Sequence, residues 1–162
     1  MKLLARNKIF ALLSLSRFLN TLGAAIYNLV FVVFAASMPQ PSLAVGIANI
    51  IVFIPSLFTI FVGMKADRTK KKSNWLIRIG YLQAILFILI ALMTKIPGYL
   101  AFSIVCFLNI VSDCLSDYRG GLQLPIMKKN IPDEDLMEAY SFNQLLSMVC
   151  SISGQALGVW LL

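Results

Sequence analysis

Long apolar runs broken by short polar ones set the plan of this chain. Five runs stand out: Ile9–Ala36, Leu43–Gly63, Trp75–Met93, Tyr99–Leu115 and Ala139–Leu162. About 20 apolar residues carry a helix across roughly 30 Å of bilayer hydrocarbon, so each run predicts a transmembrane helix. The breaks are short. Ser37–Ser42 brings two prolines and predicts a tight turn. Lys65–Ser73 is the most charged stretch, and Lys95-Ile-Pro-Gly98 separates the third run from the fourth. The fourth span fades at Asp117, Tyr118 and Arg119, giving a reading of 99–118. Residues 64–74 and 119–138 then read as loops, the second holding Pro125, Pro132, Lys128 and Lys129. The expectation is an all-α polytopic membrane protein of about five transmembrane helices.

Composition agrees with lipid as the solvent. The chain is 59% hydrophobic and 13% charged, against about 45–50% and about 25% in soluble domains. A domain of 162 residues must clothe a large water-facing surface, and a packed core cannot absorb such an excess. The net charge of +7 invites a nucleic-acid reading, but the Lys and Arg sit in the breaks between apolar runs. They do not form the basic stripe on a soluble face that nucleic acid requires. The basic start, Met1–Lys8, is followed by an apolar run too long for a cleavable leader, so the first span is expected to remain.

The placement of basic residues predicts orientation. Lys2, Arg6 and Lys8 precede the first span; Lys65, Arg68, Lys70, Lys71 and Lys72 follow the second; Lys128 and Lys129 follow the fourth. The opposite side has Lys95. Positive charge gathers in short cytoplasmic loops, so the N-terminus is expected inside a multi-pass protein of the cell membrane.

Candidate chemistry is sparse. There is no histidine, and Cys106, Cys114 and Cys150 match no metal or redox spacing, so no metal, cofactor or enzymatic activity is expected. Ionisable residues inside spans are costly and mark function. Arg17 lies roughly 12 Å into the first span, and Asp113 lies at similar depth in the fourth, so the two are expected to pair or face one cavity, the alternative being an Arg17 that snorkels to the interface. Asp113 and Asp117 are four residues apart on one helical face and repel, which requires a shared proton or a cationic neighbour. Asn20, Asn28, Asn49, Gln83, Asn109, Asn143 and Gln144 are expected to join helices to one another. Gly154 and Gly158 form a GxxxG element that permits close helix approach.

One segment carries a resemblance. Gly63-Met-Lys-Ala-Asp67-Arg68-Thr-Lys-Lys71-Lys72 closely resembles the loop signature between spans two and three of the major facilitator superfamily of secondary transporters. From Asp113 to Gly158 the chain is similar to the macrolide-efflux-like, drug:proton antiporter branch. The matching elements are Asp113, Leu124-Pro125, Ile131-Pro132-Asp133-Glu134, Ala139-Tyr-Ser-Phe-Asn143-Gln144 and the Gly154–Gly158 element. Ser16-Arg17-Phe-Leu-Asn-Thr-Leu-Gly23 resembles the opening of the same branch. Three positions depart from it: Gln155 replaces a proline, Ala24 stands where relatives often have an aspartate, and Lys70 where glycine is common.

The resemblance implies a proton-coupled exporter of small amphipathic compounds, with Arg17, Asp113, Asp117 and Arg119 as candidate coupling charges. It implies in Gly63 a site of close helix packing, and in the basic cluster an anchor on the inner leaflet. Members of the superfamily pair two six-helix halves, so this chain is expected to be an incomplete N-terminal half lacking its C-terminal partner. Substrate and proton would then engage the full-length parent, in the lipid bilayer. The alternative is a small helical membrane protein acting through helix–helix association with partners.

Overall fold

The computed structural model describes residues 6–161, with the side chains of all of these except 154, 155 and 157–161. Five helices make up the fold: α1 Lys8–Ala36, α2 Pro41–Arg68, α3 Lys72–Met93, α4 Tyr99–Asn130 and α5 Asp133–Leu161. No strand occurs among the described residues. The helices from α1 to α4 are long and apolar enough to cross a membrane. The fifth predicted span falls within α5 and ends outside the described residues.

Local chemistry explains the helix ends. Asn7 stands before α1, and its side-chain oxygen accepts the backbone N–H groups of Ile9 at 3.0 Å and Phe10 at 3.1 Å, an N-cap for donors that have no partner inside the helix. Pro41 opens α2, where a missing N–H costs nothing. Gly98 precedes α4 at φ 128°, a conformation that a β-carbon would strain. Asp133, Glu134 and Asp135 occupy the first turn of α5 and favour its positive end.

One sequence expectation changes here. Residues 119–138 are helical except at Ile131 and Pro132, because α4 continues through Pro125 to Asn130 and α5 begins at Asp133. Likewise only Thr69–Lys71 separate α2 from α3 within the predicted loop 64–74. A proline removes one ladder bond, but a long helix can carry it when its flanks are good helix formers.

The chain forms two compact units. One comprises the chain up to Ile26 and from Gln123 onward; the other comprises Tyr27–Leu122. In the first, Phe10 packs edge-on against Phe142 with ring centroids 5.9 Å apart. Nearby, Arg6 pairs with Asp135, and the Asn7 side-chain amide donates to the Asn130 carbonyl at 2.9 Å. In the second unit, Tyr27, Phe31, Phe34 and Ala35 of α1 meet Ala44 and Ala48 of α2, Ile90 of α3 and Phe102 and Val105 of α4. Ala44 and Ala48 lie one turn apart, and their small side chains let helix backbones approach. By contrast, Phe53, Leu57 and Ile60 of α2 are 72%, 74% and 74% exposed. Such a large apolar face in water would aggregate, so lipid is its natural covering.

Candidate functional site

Within Tyr27–Leu122, the buried polar groups gather along α4. Asn109, Asp113 and Asp117 recur every four residues and so share one helical face. Asn109 is fully buried, and its amide nitrogen donates to the Asn28 side-chain oxygen of α1 at 3.2 Å. Asp113 is partly buried and lies within electrostatic reach of Tyr27 and Asp117. The Tyr27 hydroxyl and the Asn109 side-chain oxygen are buried without a hydrogen-bond partner among the described residues. An unmade bond to a buried polar atom costs about 1–3 kcal/mol. Tyr27, Asn28, Asn109 and Asp113 therefore form a polar seam with bonding capacity to spare, among predominantly apolar helices.

A second network lies further along α4. Gln83 of α3 is buried; its amide nitrogen donates to Ser116 Oγ at 2.7 Å, and its carbonyl accepts from Arg119 at 3.2 Å. Asp117 accepts a bond from Thr59 of α2 at 2.9 Å. The hydroxyls of Thr69 and Tyr118 meet at 2.7 Å. The residues at 116, 117, 118 and 119 thus tie α4 to α2, to α3 and to the joint between them.

The loop signature is placed as follows. Lys72 donates to the carbonyls of Ala66 at 2.6 Å and Asp67 at 2.9 Å, setting a cation on the negative end of α2. Arg68 ends α2 and Lys71 precedes α3; both are exposed, as is Asp67. Gly63 is corrected: a β-carbon there would meet nothing within 4 Å, so close packing is not its role. The tight approach is at Gly121, where a β-carbon would stand 2.8 Å from that of Ala66. No sequence signal singled out Gly121, because one glycine beside another in a long helix looks like a break rather than a contact.

Arg17 belongs to the first unit and Asp113 to the second. Arg17 is partly buried and lines an open hollow of about 600 Å³ with Tyr140, Ser141 and Gln144. In the same unit Asn143 is buried, and its amide nitrogen donates to Met127 Sδ at 3.5 Å. Gly154 and Gly158 lie in α5, with their surroundings outside the described residues.

Compared with models of known families, with curated proteins and with solved structures, the chain matches none. What it does must be argued from its residues. Among the described residues no group of three His, Cys, Asp or Glu could hold a metal. Cys106 and Cys150 are buried and all three thiols are free, as suits small apolar side chains. The seam can exchange hydrogen bonds and, at Asp113, a proton.

Proposed function

We propose that this chain is the N-terminal part of a secondary transporter of the major facilitator superfamily. It sits in the cell membrane with its N-terminus in the cytoplasm, and α5 is its fifth span. The parent exports small amphipathic compounds in exchange for protons, and Asp113 carries the coupling proton. The observation that supports this most is the seam of Tyr27, Asn28, Asn109 and Asp113, where a carboxylate and under-bonded polar groups lie within apolar helices. Ionisable groups so placed mark ion and substrate paths. The loop from Gly63 to Lys72 adds the resemblance in sequence.

Arg17 and the hollow beside it give the other unit a cationic site of its own. Exchange requires a charge for which a proton and a substrate compete, and Asp113 is the acidic candidate for it. Alternating access needs two opposed bundles, so transport is a property of the whole protein.

The test starts with the transcript beyond the codon for Leu162. A sixth span and a second six-helix half in frame are expected, and the whole protein in proteoliposomes should then move protons across the bilayer when an amphipathic dye is supplied. Asp113→Asn should abolish the proton flux while leaving the protein folded in the membrane. Unrelated sequence beyond that codon, or unchanged coupling in the variant, would sink the reading.

A further inference from the structure

We infer that the second unit carries a binding site for an anionic phospholipid, with its headgroup between Lys65, Lys70 and Arg78. A cavity of about 580 Å³ opens among α2, α3 and α4 where their apolar segments meet the basic joint. Lys65, Lys70 and Arg78 line it, and no acidic residue does. Its walls are apolar, formed by residues such as Leu82 of α3 and Ile110 of α4. Three cations beside apolar walls match a phosphate headgroup joined to an acyl chain. A soluble anion would use the cations and leave the apolar walls uncovered.

The lining is organised. The Arg78 guanidinium lies over the Trp75 ring, 5.7 Å from its centroid, which holds the cation against another residue of the cavity lining. Trp75 in turn packs edge-on against Tyr118, with ring centroids 6.4 Å apart. Aromatic rings of this kind settle at the level of lipid headgroups. The role is separate from that of Lys72, whose ammonium is taken up by the carbonyls that end α2. Basic pockets between spanning helices hold anionic headgroups by this same combination of charge and depth. The site is independent of the transport reading, since it needs only helices that cross a bilayer.

Trp75 supplies the assay. The sequence has two tryptophans, so Trp160→Phe in the full chain leaves Trp75 as the only reporter. The chain is reconstituted in phosphatidylcholine vesicles containing a minor fraction of acyl-brominated phosphatidylglycerol, or the same fraction of brominated phosphatidylcholine. Quenching is normalised to unbrominated lipid. Selective quenching by the phosphatidylglycerol is expected, and Lys65→Gln or Lys70→Gln should each lower the relative affinity about fivefold. Lys128→Gln with Lys129→Gln, which removes like charge from the far end of α4, should leave the preference unchanged. Equal quenching by both lipids would overturn the proposal. So would a preference lost equally in the Lys128/Lys129 variant, which would mark general surface attraction. Relief of quenching by inorganic phosphate would also overturn it, because the ligand would then be the free anion.

Discussion

A β-carbon added at Gly121 would stand 2.8 Å from the β-carbon of Ala66, a group with no rotamer by which to retreat. One helix must therefore shift, and Gly121→Ala should destabilise the protein by about 1–3 kcal/mol, the usual cost of overpacking. Gly63→Ala meets open space; it should gain about 0.5–1 kcal/mol from the lower backbone freedom of alanine. Unfolding by SDS in mixed micelles, followed by circular dichroism, measures both. Equal effects at the two positions would sink the assignment of the close contact to Gly121. The contrast also marks what could be read at this scale. Gly63 drew attention because it opens a signature, whereas the contact at Gly121 depends on which residue of another helix happens to face it. Asn28, Gln83 and Asn109 were legible for a simpler reason: an amide buried among apolar helices must find a partner, and Asn109 meets Asn28 while Gln83 meets Ser116. Which amide meets which group is set by helix rotation, and the sequence does not state it.

Helices rather than loops hold most of this chain, and the apolar runs located them to within a few residues at most ends. The segment 119–138 escaped because polar and proline residues look alike in a loop and in a helix that has left the apolar region. Arg119, the first residue of that segment, is held in the helix three residues beyond Ser116, and both meet Gln83 on α3. That junction can be weighed. Gln83→Leu leaves the Ser116 hydroxyl without its amide donor, and the loss should be about 1–3 kcal/mol. Ser116→Ala removes the other partner, so the double variant isolates the bond between them. A coupling near 0.6 kcal/mol is expected, as is usual for hydrogen bonds between membrane helices. SDS unfolding of the four proteins in the cycle gives the number. Strictly additive losses would show that Gln83 acts through packing or through Arg119 alone.

At the scale of the molecule, charge makes a definite prediction about which way helices of this length and apolarity would run through a bilayer. Lys65, Arg68, Lys70, Lys71 and Lys72 cluster at the junction of α2 and α3, while Lys95 stands at the junction of α3 and α4. These two junctions lie at opposite ends of α3, a helix of 22 residues that spans about 33 Å at 1.5 Å per residue. Each basic residue close to a span biases its loop toward the cytoplasm, so the α2–α3 junction should lie inside and the α3–α4 junction outside. The spans named in the sequence are legible because hydropathy is a local property, whereas orientation is a comparison between ends of the chain. A form with Cys106, Cys114 and Cys150 replaced by serine or alanine provides the background. Into it go single cysteines, Ser73→Cys at the charged junction and Lys95→Cys at the sparse one. In intact cells a membrane-impermeant maleimide should label the second at once, and the first only after permeabilisation. The reverse pattern would invert the molecule and place the basic junction, with the proposed lipid site, at the outer leaflet. Labelling of both in intact cells would mean that α3 does not cross the membrane, and the reading of this chain as a polytopic protein would fail with it.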